Sequence, residues 1–426
     1  MRILFVSNSF PNNLSISPNP SINGTQHRLD MLIGALGQIA QLDVLFYVPN
    51  SIEISPASLL QIEKELSEYW QIKLTLHLCP QYSLPKWRYQ LEGIFDFSKQ
   101  AAFIKTTGVR QIQAFEECLS RKPDVIFVQR LQSIHPVLSS RQALPPIFYD
   151  IDDIEHIKLL RQLRRASSSL AQSFYYLHFP ALFAGEYRAI QQATRAFVCS
   201  DLDRQYLSQR WKLPGIVTIP NSVSIPAHHP ISSEPTLLLL GSYHYPPNTD
   251  AANFLIDDVF PLIQKELPHA RLLIAGSNPE HIRSYGTGAE NVEFTGFVND
   301  LDELYRRSRV MCCPIFSGGG TRVKMIEAAA YGKPIIATSI GAEGLAMTPG
   351  KDFLLCETAQ DFAAGCLELL RNDDLCDRLG VNARAAAIQH YDRAHIMTLI
   401  QQQIQSVLKQ NLMPIAIPTQ LNPPVS

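Results

Sequence analysis

The sequence predicts an α/β chain of two doubly wound domains that face each other across a central cleft. Three observations carry this expectation. At 426 residues the chain is too long for one ordinary core and suits two of similar size. Strand-length apolar runs alternate with helical stretches over 1–220, stop in an aperiodic proline-containing segment at 221–235, and then start again. In the second half a run of three glycines follows a strand and opens a helix, the place where ligands of such sheets bind.

Taken in order, residues 1–6 read as the first strand, and MRILFVSNSF has too little charge and too short an apolar run for a signal peptide. A loop rich in Pro, Asn and Ser extends to Asn23 and Gly24. Residues 25–36 place Leu29, Leu32, Ile33 and Leu36 on one helical side, and 42–48 is the next strand. Gly24 reads either as a close approach of backbone to a ligand phosphate or as a simple turn. Strands are expected at 73–78, 124–128, 147–149, 196–199 and 216–219, with helices at 58–69, 99–120, 180–193 and 201–209. After the linker the second domain covers 236–392. Its strands are expected at 236–240, 271–275, 292–294, 310–314 and 334–338, with helices at 250–267, 301–308 and 367–390. A further helical pattern at 396–408 lies within 393–410, and 411–426 reads as a disordered tail.

The most informative stretch is FSGGGTRVKMIEAAAYG, residues 316–332. Gly318, Gly319 and Gly320 precede good helix formers, and Gly332 with Pro334 ends the helix. Bare backbone at a helix N-terminus, with its open N–H groups and positive dipole end, suits a phosphate. Arg322 and Lys324 add cations, and Glu327 lies one turn after Lys324. The rise from Arg322 to Glu327 is about 7–8 Å, roughly the span from a diphosphate to the ribose hydroxyls of the same nucleotide. The segment therefore reads as a nucleotide-diphosphate cradle; Lys324 and Glu327 also fit an ordinary ion pair on a solvated helix.

Composition narrows the rest. A net charge of −2 gives no field for nucleic acid. The eight cysteines form no CxxC pair, the usage of a reducing compartment. No run approaches the ~20 apolar residues of a membrane span, so a cytosolic protein is expected. Residues 158–179 mix Lys158, Arg161, Arg164 and Arg165 with leucines and aromatics. This reads as a peripheral membrane contact or as a surface helix packing on its own domain. The triplet Asp150–Ile151–Asp152 has a form that can hold a divalent cation, but Arg322 and Lys324 already match phosphate charge, so no metal is expected. Asp153 also reads as the cap of a helix starting at Ile154. No GxGxxG follows a strand, which argues against a nicotinamide dehydrogenase.

The run GGGTRVKMIEAAAYGKPIIATSIGAEGL, with GSYHYPPNTDAANF, FTGFVND and IPNSV, resembles retaining glycosyltransferases of the GT-B fold, of the group-one or family-four type. The likeness is strong over 221–345 and fair over 1–36 and 147–200. It implies two Rossmann-like domains, a nucleotide-sugar donor bound by the second, and a glycan or lipid-linked acceptor, with a C-terminal helix crossing back to the first domain. It implies that Glu327 holds the ribose hydroxyls, that Gly320, Thr321, Arg322 and Lys324 hold the diphosphate, that Gly296, Phe297 and Val298 contact the base, and that Gly319 also lies on the donor. Gly24 matches the second glycine of the family's N-terminal loop, with Asn23 in place of the first. Gly319 stands where the family has the first glutamate of its signature, GSYHYPPN lacks the usual Arg and Lys, and Asp152 stands where a histidine is usual. Arg322 and Lys324 are expected to supply the phosphate charge, and Asp152 or Asp153 to orient the acceptor hydroxyl or act as base. Retaining enzymes of this kind need no protein nucleophile, in keeping with the lack of a Ser–His–Asp constellation. Two other classes stay open: a non-catalytic nucleotide-sugar-binding partner, and a nucleotide-sugar epimerase of the same architecture.

Overall fold

The computed structural model describes residues 1–11, 24–100, 103–165, 170–298 and 300–412. Asn23 and the expected tail beyond Leu412 lie outside the described residues. The first half comprises β1 (Arg2–Ser7), α1 (Gly24–Gly37), β2 (Gln41–Val48), α2 (Pro56–Trp70), β3 (Leu74–Pro80), α3 (Lys86–Glu92), α4 (Val109–Leu119), β4 (Val125–Gln129), α5 (His135–Ser139), β5 (Ile147–Asp152), α6 (Glu155–Arg165), α7 (Leu170–Gln192), β6 (Arg195–Val198), α8 (Asp201–Trp211) and β7 (Ile216–Thr218). The second comprises β8 (Thr236–Leu240), α9 (Pro246–Asn253), α10 (Phe260–Glu266), β9 (Arg271–Ala275), β10 (Val292–Gly296), α11 (Leu301–Arg307), β11 (Val310–Cys313), α12 (Val323–Ala330), β12 (Ile335–Ala337), β13 (Leu354–Leu355), α13 (Ala359–Arg371), α14 (Asp373–Tyr391) and α15 (Arg393–Leu412).

Both sheets are doubly wound. Their strand orders are β3-β2-β1-β4-β5-β6-β7 and β10-β9-β8-β11-β12-β13, with parallel pairing throughout. Helices cover both faces, which is why the strands are continuous apolar runs without polar alternation. β1 illustrates this: Ile3 and Phe5 enter one core cluster, Leu4 and Val6 the cluster on the opposite face. Strand order reverses between β1 and β4 and again between β8 and β11, and loops at these switch points build the cleft.

Several element bounds differ from the sequence expectation. The helix expected over 99–120 is three pieces: short 3₁₀ turns at Phe97–Lys99 and Ile104–Thr106, then α4. The extended Gly108 starts α4, while the Thr106 hydroxyl donates to the Gln132 carbonyl at 2.9 Å, a tertiary contact that holds the turn out of the helix. Helix α7 runs through Pro180 instead of starting there. The helix expected from 250 starts at Pro246, since proline suits the first turn, and reaches Glu266 through a π-helical turn at Phe254–Val259. The helix expected over 367–390 is two, α13 and α14; Asn372 ends one and caps the next by accepting the Leu375 N–H at 3.0 Å.

Helix α15 returns to the first sheet. Ile396, Ile400, Ile404 and Val407 form one stripe, buried in the same cluster as Leu29, Leu32 and Leu36 of α1. Each such side chain contributes roughly 1.5–3 kcal/mol of burial free energy. The segment 221–235 is tied to the second half by Arg384 Nη2 on the Pro226 carbonyl at 2.7 Å and Arg309 Nη1 on the Ser232 carbonyl at 3.2 Å.

Candidate functional site

Loops of both sheets enclose a cleft of about 480 Å³. Its second-domain wall is the loop leading into α12. Gly320 has φ 67°, in the left-handed region, and a Cβ there would collide with the Asp153 carboxylate. No side chain caps α12, so its first-turn N–H groups stay open toward the cleft. The N-terminus of α1 approaches the same point: a Cβ on Gly24 would lie 3.5 Å from Val323 Cγ2. Two positive helix ends therefore converge on one spot suited to an anion.

Lys324 Nζ donates to Asn248 Oδ1 at 2.8 Å and stands over Gly241, whose Cβ would lie 3.2 Å from it. An ammonium is thus delivered beside the GSYHYPPN loop, which carries no Arg or Lys of its own. Burial pushes its pKa down to about 8. Glu327 is 9% exposed and lies 3.4 Å from His27 Nε2 across the cleft. Burial raises its pKa to about 7, with Lys324 and Arg393 opposing. Burial lowers that of His27 to about 4, so this imidazole is neutral at neutral pH. Lys324 and Glu327 are therefore cleft residues and not a solvated surface pair.

Arg322 lies on the same wall. Its guanidinium folds back on its own loop, donating to the carbonyls of Gly319 and Ser317. It lines the cleft while holding the glycine loop in shape. Phe297 and Val298 line the far end with Ser277; Gly296 does not, and its carbonyl accepts the Gly276 N–H at 2.8 Å. Gly276 (φ 132°) packs so closely on the Gly241 carbonyl that any side chain there would collide with it.

The first-domain wall carries Asp152, Asp153, Arg130 and Lys158. Asp152 ends β5 at φ 61°, where the pairing with β6 shifts register. Its carboxylate lies 3.6 Å from Arg130 Nε, and burial with the adjacent Asp153 raises its pKa to about 6. Asp150 lies deeper. It is fully buried and accepts from Arg28 Nε at 2.9 Å on both oxygens. Asp152 also lies 4.0 Å from Arg28 Nε, so a guanidinium occupies the space between the two carboxylates of the Asp150–Ile151–Asp152 triplet, and the described residues contain no cluster of three or more His, Cys, Asp or Glu arranged for a metal ion. Asp153 is not a helix cap. The Glu155 and His156 N–H groups donate to Glu186 of α7 at 2.8 and 3.1 Å, while Asp153 pairs with Lys158 at 3.4 Å.

Two of the four basic residues read as a membrane face are turned inward. Lys158 faces the cleft, and Arg161 grips Glu343 of the second domain at 2.5 and 2.7 Å. Part of 158–179, the side chains of Arg164 and Arg165 included, lies outside the described residues. His27, Arg130 and Asn248 escaped sequence reasoning, and Lys158 was noticed only as part of the basic stretch 158–179. Asn248 stands in a stretch quoted for the family likeness, whereas His27 and Arg130 are single residues with no local signature.

The fold and its inter-domain cleft are those of the GT-B glycosyltransferases. Residues 234–372, in the second domain, match the family model for glycosyl transferases group 1. It is 25% identical over 265 residues to the phosphatidyl-myo-inositol mannosyltransferase of Mycobacterium leprae, covering 58% of this chain and 69% of that one. Sucrose-phosphate synthase from Thermosynechococcus elongatus superposes with a TM-score of 0.68, covering 96% of this chain and 99% of that one at 16% identity. HepE of Anabaena in complex with UDP-glucose gives 0.64, covering 95% and 100% at 16% identity. No helix among the described residues is long and apolar enough to cross a membrane.

Proposed function

We propose that this chain transfers a sugar, with retention, from a nucleoside-diphosphate sugar to a hydroxyl of a glycan or lipid-linked acceptor. The observation that carries this reading is the placing of Lys324 and Glu327 one turn apart in a cleft, beneath an uncapped helix N-terminus. The diphosphate lies at the converging ends of α1 and α12, and Glu327 accepts hydrogen bonds from the ribose hydroxyls. When the anomeric carbon–oxygen bond breaks, its electron pair goes to the leaving phosphate oxygen. Lys324 and the first-turn N–H groups of α12 stabilise that charge. The acceptor oxygen, its hydroxyl oriented by Asp152, bonds to the anomeric carbon on the face the phosphate leaves, and its proton passes to the leaving phosphate. A nucleotide-sugar donor is in keeping with UDP-glucose in the HepE complex, and a lipid-linked acceptor with the name of the Mycobacterium leprae relative. The reading includes no metal. It puts the protein in the cytoplasm, with any peripheral membrane contact through 158–179 carried by exposed Tyr176 and Leu177.

Thermal-shift measurements across UDP-, GDP- and ADP-sugars test it, because a ligand of the folded state raises the melting temperature with its affinity. One donor class is expected to give a shift that EDTA leaves unchanged. Glu327→Ala, losing hydrogen bonds to a charged acceptor, is expected to weaken that donor about 30-fold or more. Equal shifts in wild type and variant would sink the reading. A non-catalytic nucleotide-sugar binder would give the same shifts with no transfer across an acceptor panel, and an epimerase would convert the donor without acceptor.

The pH profile gives a second test. Binding needs Glu327 ionised and Lys324 protonated. Glu327 takes up a proton below about pH 7, and Lys324 loses one above about pH 8. A plot of kcat/KM against pH is therefore expected to peak between these values and fall on both sides. Lys324→Arg, whose guanidinium stays charged, is expected to abolish the alkaline fall; a flat wild-type profile from pH 6 to 9 would contradict the assignment.

A further inference from the structure

We propose that the first domain completes the sugar subsite: Asp153, paired with Lys158, takes the hydroxyls of the donor's hexosyl group, so that the cleft selects a neutral sugar with two adjacent free hydroxyls. This rests on the donor reading above.

Three observations carry it. The wall beside the α12 N-terminus is bare, because Gly319 and Gly320 have no side chains. A Cβ on Gly319 would lie 3.6 Å from Asp153 Cγ and 3.6 Å from Lys158 Cβ, so the space a residue at 319 would enter is filled from the opposite domain. Next, Asp153 and Lys158 form a 3.4 Å pair on the cleft lining, with side chains 19% and 20% exposed. The pair sets a hydrogen-bond acceptor beside a donor. A vicinal diol offers the complement, since each hydroxyl both donates and accepts. Finally, the pair is held in place. Arg161, on the next turn of α6, donates to both Glu343 oxygens and to the Gly318 carbonyl at 3.0 Å. Helix α6 is thereby tied to the glycine loop it faces. On this wall three carboxylates, Asp152, Asp153 and Glu155, share two cations, Arg130 and Lys158, so a sugar bearing its own carboxylate would add to an excess of negative charge.

Titration calorimetry tests this with three probes: the donor that gives the largest thermal shift, the matching nucleoside diphosphate, and UDP-glucuronate. Asp153→Ala and Asp153→Asn are expected to weaken the nucleotide-sugar by about 10- to 100-fold and to leave the nucleoside diphosphate unchanged. The double variant Gly319→Glu/Asp153→Ala is expected to regain at least part of the loss, its new carboxylate entering the emptied space from the other wall. UDP-glucuronate is expected to bind wild type no better than UDP. Equal nucleotide-sugar affinity in wild type and both Asp153 variants, or preferential binding of the glucuronate, overturns the subsite alone. If no nucleotide binds at all, the donor reading and the subsite fall together.

Discussion

Replacing Lys324 by alanine is expected to lower kcat by about 10²- to 10³-fold, the loss seen when a preorganised donor to a developing oxyanion is removed. Among the described residues of the cleft, Lys324 is the one cation whose head group is held by a neutral partner, Asn248, and not by a carboxylate or its own loop. Its burial makes the charge strong, because little water screens it. The same burial lowers its pKa to about 8, so the charge is present at pH 7. Asn248→Ala frees the ammonium without removing it and is expected to cost less, about tenfold, through lost orientation. Steady-state kinetics with the donor found by thermal shift decide the matter. A Lys324→Ala enzyme within threefold of wild type would exclude this residue from leaving-group stabilisation.

Arg28→Ala is expected to destabilise the first domain by about 3–5 kcal/mol, the usual result of stranding one half of a buried ion pair. Arg28 is fully buried and meets Asp150, also fully buried, through several hydrogen bonds. Its Nη1 reaches the Ile219 carbonyl at 3.1 Å and Asn221 Oδ1 at 3.2 Å, and Asn221 in turn donates to Thr321 of the glycine loop at 2.9 Å. The pair thus braces α1 against β5 and passes the brace to the opposite wall. Removing both partners in Arg28→Met/Asp150→Leu is expected to restore much of the stability, because no charge is left unpaired. The three tryptophans, Trp70, Trp87 and Trp211, all lie in the first half, so their fluorescence in a urea titration reports its unfolding. Equal midpoints for wild type and Arg28→Ala would show that the pair carries no net stability.

The two variants separate what local sequence encodes from what it does not. Lys324 and Glu327 were legible because helical spacing alone puts them on one side of α12, and the glycines before them announce an open N-terminus. Arg28 sits in a helix whose apolar stripe was also legible, yet nothing near it announces Asp150, 122 residues away. The partners of Arg322 and Asp153 were illegible for a related reason, since the choice of hydrogen-bond partner depends on what the fold brings alongside. Arg322 found the carbonyls of its own loop, and Asp153 found Lys158 while Glu186 capped the helix instead. The broken 99–120 helix has the same cause, a contact from Thr106 to Gln132 that competes with helical continuation.

By itself the sequence determined the alternation of strands and helices, the division near the 221–235 segment, and the glycine-led helix carrying Lys324 and Glu327. These follow from periodicity and backbone preference, which act over a few residues. The tertiary structure alone decided the opposite wall: His27 against Glu327, Asp153 and Lys158 against Gly319, and Arg161 against Glu343. Those pairings depend on strand order and on how two separately folded sheets meet, and a contact between residues more than 150 positions apart leaves no mark on its sequence neighbours.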